Sequence, residues 1–535
     1  MKYVFVNNRH FLEVFLNMPE KPKKIAIGVV VTLLVLATGI FALNYYIESK
    51  LKKEIAGLPN NIKIAYKAIE VNSLKGKLRF VNPQVSVYGK TTGTVNLKTE
   101  LQSFTIDDVN YWDYLLNNKI SIENIIFNQP KVTYYHNEEV KSKSYSNVFK
   151  NPFDKLIHIE NLQINNGTIK VFNATTDSLV LQSEKIDFEF SSVQIEKKSN
   201  KKSISYQNFS FYSTNLFYRL NTFDNLLVEH LTISPKTSKI KGLRIKTKYK
   251  KEQLSKLLST ERDHFDLSVD SLVVKNQDFG FKHDANFYFK SERVDFFAPY
   301  FDIYRDKLVS DNLTYKPLYS KMLRDLKFSL TLNKVILNDG KISYTEKVKE
   351  GTQGGKLEFS KLHAKIKNLS NTYKDTLTVI NVSAIFMETT PLKVTWSFDV
   401  NTTTDAFLYK AELGTLAAQA MNQFMEPNLN VALKGTIDKT YFTISGNDRI
   451  SQIDLKLKYD HFDVVVLKQN GKEENKFLSG LVNLFVSKDS KKDSGSFRYG
   501  SKTDVERDQT KSVFNYQWLN IKAGLLNAMT GDGKK

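Results

Sequence analysis

The residue types that most often carry out chemistry are few in this chain, and their spacing does not suit a reactive site. Eight histidines are spread from His10 to His461, with no His-x-x-x-His pair and no acidic cluster at metal-ligand spacing. Cysteine is absent, so disulfides, thiolate metal sites and a cysteine nucleophile are excluded. The sequence therefore predicts neither a metal site nor a bound cofactor.

Motifs that would indicate an enzyme are also missing. The chain contains no Gly-x-Ser-x-Gly nucleophile elbow and no P-loop. The glycines from Gly351 to Gly355 fall between two strand patterns, which favours a loop over a phosphate cradle. Two acidic pairs, Asp107-Asp108 and Glu138-Glu139, are adjacent in sequence, and adjacent side chains in a strand point to opposite faces. We therefore expect a protein that is not an enzyme.

The composition indicates a β-rich protein. It includes 36 Phe and 26 Tyr, and Asn, Ser, Thr and Val are abundant, which favours strands and turns. The 77 Lys and Arg exceed the 57 Asp and Glu, and the net charge of +20 could attract nucleic acid or anionic lipid. These basic residues are scattered singly, without the aromatic stacking platforms of RNA-binding sheets. Nucleic acid is therefore not expected as a partner. The basic residues form a solvated face or contact an anionic membrane surface.

One segment near the N-terminus is long and apolar enough to form a transmembrane helix. Residues 25–43 are nineteen residues without a charge. At 1.5 Å per residue, about twenty such residues cross a hydrocarbon core of roughly 30 Å. The run exceeds the about 7–15 apolar residues of a signal peptide, and no Ala-x-Ala cleavage site follows it, so an uncleaved anchor is predicted over residues 24–47. Its membrane and interfacial residues are predicted to be Ile25, Val30, Leu33, Leu36, Phe41, Leu43, Tyr45 and Tyr46.

The orientation of this anchor is predicted from the length of the domain that follows it, because the flanking charges are nearly balanced. Lys21, Lys23 and Lys24 precede it, while lysines also follow it at positions 50, 52 and 53, so the positive-inside balance is weak. Long domains are translocated largely regardless of charge. We therefore expect residues 1–23 in the cytoplasm and the bulk of the chain on the other side of the membrane.

A repeated pattern of alternating apolar residues governs the rest of the chain. From Ile157 to Val171, apolar residues alternate, slip by one residue at Asn161, alternate again, and resume after Asn166-Gly167. Alternation with period two is typical of strands with one buried face, and the slip indicates a bulge. Because Asn-Gly is a strong hairpin signal, each copy is predicted to turn back on itself there.

The same spacing recurs elsewhere in the chain. Full copies begin at Ile120, Ile157, Leu267 and Leu330, and partial copies begin at Leu78 and Leu226. The fixed position of the slip favours a repeated supersecondary unit over an ordinary β-sandwich. The residues predicted to line one apolar face are Ile120, Ile122, Val132, Tyr134, Ile157, Ile159, Ile169, Val171, Leu267, Val269, Phe279, Phe281, Leu330, Leu332, Ile342 and Tyr344.

Short helices are predicted between these units and after them. Residues 111–116 and 252–258 read as short helical segments. A stripe from Leu413 to Phe424 falls at helical spacing before Pro427, which predicts an amphipathic helix. Near the end of the chain, Phe514, Trp518, Ile521 and Leu525 lie near one helical face. This last helix either caps the open end of the sheet or docks on a membrane surface.

Four pieces of the chain carry a family resemblance through their order. They are residues 71–78, residues 114–122 continuing to 130–132, residues 355–359 followed by 362–369, and residues 433–437 followed by 455–460. With these pieces the chain resembles the AsmA-like proteins of Gram-negative envelopes, and the resemblance covers nearly everything after the anchor.

The resemblance implies an elongated, incompletely closed antiparallel β-sheet with an apolar concave face. It also implies an inner-membrane protein, with its bulk in the periplasm, that binds or transfers phospholipid acyl chains and supports outer-membrane biogenesis, with an outer-membrane partner. On this basis the chain divides into the cytoplasmic residues 1–23, the transmembrane helix 24–47, a β-hairpin groove region 48–410 and a C-terminal AsmA-like β region 411–535.

Three alternatives remain open. The alternating positions could fill a closed interior instead of lining a groove. The protein could be a non-catalytic envelope scaffold or assembly factor that binds proteins through its sheet edges. It could also be an adhesin-like surface structure, which an inner-membrane anchor opposes.

Overall fold

The computed structural model of the protein describes residues 20–89, 92–137, 156–198, 201–282, 286–468, 479, 489–490 and 497–531. The acidic pair Glu138-Glu139 lies outside them. Strands account for 58% and helices for 18%, so the predicted mainly β fold behind an N-terminal helix is confirmed. The chain divides into two compact units, residues Met1–Ser210 and Phe211–Lys535.

The N-terminal helix α1 runs from Glu20 to Ala56 and extends beyond both ends of the predicted segment 24–47. Its part Val29–Ala56 contains an 18-residue window with a mean hydropathy of 2.0 and is long and apolar enough to cross a membrane. The helix continues past its apolar run because the next residues are good helix formers, and Glu48 and Lys52 form an ion pair at 2.7 Å one turn apart. It ends before Gly57 and Pro59.

The first unit is built on one long central strand, β9. The N-terminal half of β9 pairs in parallel with β7, its C-terminal half pairs in parallel with β8, and antiparallel β10 follows on the other side. Two antiparallel ribbons, β7–β6–β3–β2 and β8–β5–β4–β1, extend from it. The elements are β1 (Ile62–Ala65), β2 (Ala68–Asn72), a 3-10 turn (Ser73–Lys75), β3 (Lys77–Val81), β4 (Gln84–Tyr88), β5 (Val95–Glu100), β6 (Ser103–Asn110), α2 (Tyr111–Leu116), β7 (Lys119–Asn128), β8 (Lys131–His136), β9 (Leu156–Asn173), β10 (Leu179–Lys198) and β11 (Lys201–Ser205).

The hairpins predicted within each copy of the repeat are wrong. The turn expected at Asn166-Gly167 lies inside β9, and the copy that begins at Ile120 is an interrupted strand, β7 followed by β8, that keeps its direction. A type I′ hairpin turn needs positive φ at both central residues. Of the two, only Asn166 has it, with φ 53°, so the chain kinks once and continues.

The second unit begins with an antiparallel meander from β12 to β15. Strand β15 then pairs with β16 and β17 in turn, and both of these pair in parallel with β18. The remaining strands follow in antiparallel order. The elements are β12 (Asn208–Arg219), β13 (Asp224–Ile233), β14 (Thr237–Thr247), α3 (Lys251–Leu257), β15 (His264–Phe281), β16 (Phe287–Phe297), β17 (Tyr300–Asp306), α4 (Tyr319–Arg324), β18 (Ser329–Lys347), β19 (Gly355–Ser370), β20 (Thr378–Phe386), β21 (Thr390–Phe398), β22 (Phe407–Leu413), β23 (Leu416–Ala417), a 3-10 turn (Ala418–Met421), α5 (Asn422–Leu429), β24 (Val431–Gly446), β25 (Ile450–Val466), β26 (Arg498–Glu506) and α6 (Val513–Thr530).

Two of the predicted short helices are confirmed, and a third is wrong in its first half. The helices at residues 111–116 and 252–258 are confirmed as α2 and α3. The continuous helix expected from Leu413 to Phe424 is wrong in its first half, because Leu413 ends β22 and Leu416 pairs with Ile437 in β23. Gly414 lies between these two strand residues, and the 3-10 turn and α5 follow β23 directly. Helix α5 includes Pro427.

The largest hydrophobic core lies in the second unit, under helix α6. One cluster joins the inner faces of β21, β22, β24, β25 and β26 to α4 and α6. Tyr516 of α6 is 1% exposed, and its ring lies 6.0 Å from that of Phe407, centroid to centroid. Leu457 and Ile444 are completely buried in the same cluster. Here the apolar face of the sheet is a packed interior.

Candidate functional site

Apolar residues of the first unit form rows that run across the strands. In one row, each residue lies directly opposite the next on the neighbouring strand, over six strands. This row consists of Ile62, Val87, Leu97, Tyr134, Val171 and Leu181. Two residues along the strands, a second row contains Ile64, Val85, Val132 and Ile169, together with Thr99 and Ser183. The pairing thus places one fully apolar row beside a mostly apolar one.

The row between these two is polar throughout. It runs across the same six strands, one residue along from each apolar row. Its members are Lys63, Ser86, Lys98, Thr133, Lys170 and Gln182. Because successive side chains in a strand point to opposite faces, this part of the sheet has one apolar and one polar face.

Apolar rows also cross the other ribbon of the first unit. One runs through Phe80, Phe104, Phe127, Ile164 and Phe188. The rings of Phe80 and Phe104 lie 6.1 Å apart, and those of Phe104 and Phe127 lie 4.9 Å apart. The sequence analysis missed this aromatic row, because its members come from strands whose pairing cannot be read from local alternation.

The residues predicted to line an apolar face in the first unit are brought together in pairs. Ile120 faces Ile157, Ile122 faces Ile159, Val132 faces Ile169 and Tyr134 faces Val171. In each pair the second residue follows the first by 37 positions, so two copies of the repeat lie side by side in parallel with equivalent residues opposed. The sequence repeat is therefore also a repeat of strand register.

In the second unit the predicted residues lie on β15 and β18, with β16 and β17 between them. Phe279 pairs with Phe289, which pairs in turn with Leu330. The other predicted residues of this unit are Leu267, Val269 and Phe281 on β15 and Leu332, Ile342 and Tyr344 on β18.

A crease crosses the first unit between the two halves of β9. Gln129, with φ 49°, precedes Pro130 and interrupts the strand between β7 and β8. The backbone N–H of Gln129 donates to Asn165 O at 2.8 Å, and that of Thr168 donates to Pro130 O at 2.7 Å. These bonds carry the ladder past the break, so β7 and β8 act as one strand beside β9.

The second unit has a crease of the same construction. Ala298, with φ 47°, precedes Pro299 between β16 and β17. Its N–H donates to Asn338 O at 2.9 Å, and the N–H of Lys341 donates to Pro299 O at 2.8 Å. Gly340 lies beside Pro299 here, as Gly167 lies beside Pro130 in the first unit.

Apolar residues on both sides of the second-unit crease share one face of the sheet. Leu337 and Ile342, on either side of Asp339-Gly340, both pack against the buried cluster of Leu362, Ala364 and Ala384. Simple alternation would place residues five positions apart on opposite faces of the sheet. The kink at Asp339, with φ 52°, returns Leu337 and Ile342 to the same face. The kink at Asp339-Gly340, where the repeat was predicted to turn back, therefore keeps an apolar face continuous through a bend.

The exposure of the predicted lining residues differs from that of a filled interior. Thirteen of the sixteen are half-buried, while Ile159 and Val269 are buried and Phe281 is exposed. In the first unit the helices α1 and α2 contact β2, β7 and the 3-10 turn. Among the described residues of that unit, the buried apolar side chains are Ile69, Leu101, Ile159 and Val193.

The predicted anchor residues all lie in α1. Val30, Leu33, Leu36, Phe41, Leu43, Tyr45 and Tyr46 are exposed, and the side chain of Ile25 lies outside the described residues. An apolar helix with this many exposed side chains needs an apolar environment to cover it.

The C-terminal helix α6 lies against β25 and β26. Of its four predicted residues, Ile521 and Leu525 pack against the core cluster, whereas Phe514 and Trp518 are exposed. At its C-terminal end, Arg498 Nε donates to Ala528 O at 2.7 Å, which satisfies a carbonyl that the helix itself leaves unpaired. The helix thus covers β25 and β26. Capping of the open end of the sheet and docking on a membrane both stay predictions.

Two buried carboxylates of the second unit are paired with cations. Asp224 accepts a hydrogen bond from Arg262 at 2.6 Å and from Thr247 at 2.8 Å, and Glu261 accepts one from Lys307 at 2.8 Å. Burial alone would raise both pKa values, but these hydrogen bonds and charges outweigh it and hold the pKa of each carboxyl below its usual range. Both groups therefore stay ionised and stabilise the fold.

An acid pair across two strands of the first unit was not predicted from the sequence. A hydrogen bond that protonated Glu123 donates to Asp108 on the neighbouring strand, together with the negative charge of Asp108, raises the pKa of Glu123. Asp107, the other half of the adjacent pair noted in the sequence, forms an ion pair with Lys77 at 3.1 Å. Contacts between strands decide these partners, and local sequence does not reveal them.

The fold and site together define a β-rich protein with a sheet of apolar and polar faces behind a helix that could cross a membrane. No family model and no curated protein matches the chain. Within the described ranges, no three His, Asp or Glu side chains lie close enough together to hold a metal ion.

Proposed function

We propose that this protein is anchored in the inner membrane and binds or transfers phospholipids along the apolar face of its sheet, supporting envelope biogenesis. In this proposal the chain is not an enzyme and takes no cofactor. The observation that carries the proposal is the apolar row across six strands of the first unit, next to a row that is entirely polar.

The dimensions of this row suit an acyl chain. Neighbouring strands lie about 4.8 Å apart, so six strands span about 24 Å. One leaflet of a bilayer has about half of a 30 Å hydrocarbon core, or about 15 Å. A row of half-buried side chains can therefore contact an acyl chain along its length, and no polar group has to recognise it. Apolar surface of this extent is costly in water and favours a ligand that covers it.

The location is proposed on separate grounds. Helix α1 is long and apolar enough to span a bilayer. Because long domains are translocated largely regardless of flanking charge, a cytoplasmic N-terminus is favoured although lysines lie on both sides of the helix. The resemblance to AsmA-like proteins implies the inner membrane, the periplasm and an outer-membrane partner. Protease added to intact and permeabilised cells tests this orientation, since a periplasmic bulk is digested only after the outer membrane is opened.

Native mass spectrometry of the full chain in a mild detergent tests lipid binding. Phospholipid is expected to co-purify with the unmodified chain. The double variant Val132→Asp with Ile169→Asp places two charges in one cross-strand pair of the apolar face, and we expect it to lose most of the bound lipid. The matched control is Thr133→Asp with Lys170→Asp, the next pair along the same strands on the polar face, which should retain lipid.

A folded, lipid-free unmodified chain would contradict the proposal. Equal lipid retention by the apolar-face variant and its control would also contradict it, provided that circular dichroism shows both to be folded. Either result would favour the second candidate, a scaffold that acts through sheet edges. In the described part of the chain, β1 pairs with β4 and β2 pairs with β3, each on one side, which leaves two edges for such a partner.

A further inference from the structure

An exposed aromatic and leucine patch lies at one end of the first unit. Helix α2 has the sequence Tyr-Trp-Asp-Tyr-Leu-Leu, and five of its six residues are exposed large hydrophobics. Trp112 is 71% exposed, Leu115 68% and Leu116 73%. Leu74, in the 3-10 turn Ser73–Lys75, is 73% exposed as well. Neither the apolar rows nor the core cluster of the second unit uses these side chains.

The patch is built into the sheet. Asn110 caps α2, because its side chain accepts hydrogen bonds from the backbone N–H groups of Trp112 at 3.0 Å and Asp113 at 3.1 Å. Helix α2 contacts β7, the strand that follows it. The local order of the helix therefore comes from its cap and from β7, and leaves its large side chains facing solvent.

A short chain of contacts joins the patch to helix α1. The side chain of Asn44 in α1 accepts a hydrogen bond from the backbone N–H of Ser73 at 2.8 Å. Three residues later, Gly76 O accepts a hydrogen bond from the N–H of Val109 at 3.1 Å, immediately before the Asn110 cap of α2. Asn44 directly follows Leu43, the last residue of the uncharged apolar run. The patch is therefore fixed beside the point where α1 would leave a bilayer.

We propose that Leu74 and residues 111–116 form a second membrane contact, which seats the start of the sheet on the leaflet from which α1 emerges. The inference rests on the proposed membrane anchoring. The occupant is the headgroup and upper acyl region of a bilayer, because Trp and Tyr favour that level and leucines insert just below it. The exposed Tyr45 and Tyr46 of α1 lie directly after Asn44, which gives the same depth for both contacts.

This contact gives the apolar face a route to lipid. Strand β7 begins at Lys119, directly after the patch, and its residues Ile120 and Ile122 are the first members of the apolar pairs with β9. An acyl chain that leaves the bilayer at α2 would therefore meet the apolar face without crossing bulk water.

Fluorescence of the full chain in phosphatidylcholine vesicles tests the contact. With Trp518→Phe in the background, two tryptophans remain, Trp112 in the patch and Trp396 buried in the second unit. Lipids brominated in the upper part of their acyl chains should quench most of the Trp112 emission and shift its maximum to the blue. Adding Trp112→Phe isolates the Trp396 baseline, which should be unquenched.

A charge variant separates the patch from the anchor. Leu115→Asp with Leu116→Asp should abolish quenching of Trp112 while the chain still resists alkaline extraction, because α1 stays inserted. Thr175→Asp with Thr176→Asp adds the same charge at an exposed turn of the same unit and should leave quenching unchanged. Unquenched Trp112 in a chain that resists alkali would overturn the inference and leave lipid binding untouched. Extraction by alkali would overturn the anchoring on which it rests.

Discussion

The two units complete an apolar sheet face in different ways. In the second unit, eighteen buried apolar residues form one cluster beneath α6 and α4. In the described part of the first unit, four apolar residues are buried, and the rows across its strands are half-buried. Both units use alternating strands with creases of the same construction. The covering helix, more than the strand pattern, determines whether such a face becomes a core.

This difference supports the proposal that the apolar rows of the first unit bind lipid. A buried apolar residue typically touches many neighbours, and a domain usually has one contiguous core. The first unit has the apolar side chains for such a core and lacks a described helix across them. In the second unit, α6 covers the sheet with apolar side chains. A ligand that covers the apolar rows of the first unit would also have to be apolar, as an acyl chain is.

Lifting α6 from its sheet should have the largest effect, because it would make the second unit resemble the first. A Cβ on Gly500 would collide with the backbone atoms Gly524 O and Ala528 N of α6. Gly500→Val should therefore cost about 3 kcal/mol or more, at the upper end of overpacking effects. Hydrogen exchange of β25 and β26 should accelerate roughly a hundredfold, and a dye that reports exposed apolar surface should bind.

The control is Thr503→Val, at an exposed position of the same strand, which should leave exchange unchanged. If Gly500→Val exchanged as slowly as the unmodified chain, α6 would not be what closes the second unit. The comparison between a covered and an uncovered face would then fail.

The sequence predicted much of the fold, and the misses have one physical origin. Alternation identified the strands, and the short helices α2 and α3 lie where expected. The bulge expected at the Asn161 slip is wrong, because β9 keeps its register with β7 and β10 there. The hairpin at Asn166-Gly167 failed because the outcome depends on whether one or both residues adopt positive φ. Strand neighbours decide that choice, and Pro130 beside Gly167 is one of them.

The candidate site was predicted in part for a similar reason. Alternation identified Ile122 and Ile159, and likewise Val132 and Ile169, as equivalent positions of two copies, and the structure pairs them across neighbouring strands. It could not show which rows are covered, because the covering residues of α6 come from the far end of the chain. The exposed helix α2 was visible as a helix, but its position beside Asn44 depends on the backbone of Ser73.

Substitution of Gly340 and Gly167, the glycines at the two creases, should lower the free energy of unfolding by a smaller amount than Gly500→Val. A Cβ on Gly340 would lie 3.2 Å from Pro299 Cγ, 3.3 Å from Pro299 O and 3.4 Å from Leu362 O, so two backbone atoms have to shift slightly. A Cβ on Gly167 would lie 3.1 Å from Pro130 Cγ, 3.2 Å from an Ile164 methyl group and 3.4 Å from Ile186 O, so one backbone atom is affected. Gly340→Ala should cost about 1–2 kcal/mol and Gly167→Ala about half of that.

Urea unfolding followed by hydrogen exchange of β18 and of β9 measures the two costs separately. Equal costs, or a larger cost at Gly167, would show that the half-buried first unit tolerates displacement no better than the second.

Acidification should have the smallest effect and should act on the two units in opposite directions. Burial of Asp224 would raise its pKa, but hydrogen bonds and charge from Arg262 outweigh it, so its folded-state pKa lies below the unfolded value. The stability that it contributes is therefore complete above about pH 4 and is lost as the pH falls further.

Asp108 raises the folded-state pKa of Glu123, so repulsion between the two carboxylates destabilises the first unit at neutral pH and is relieved as Glu123 gains a proton. Between neutral pH and pH 4, hydrogen exchange should slow slightly around β6 and β7 and stay constant around β13. Below pH 4 it should accelerate around β13, and Asp108→Asn should remove the change in the first unit alone. Parallel changes in both units would mean that net charge, rather than these local partners, governs the response, and the contrast between paired and repelling acids would be wrong.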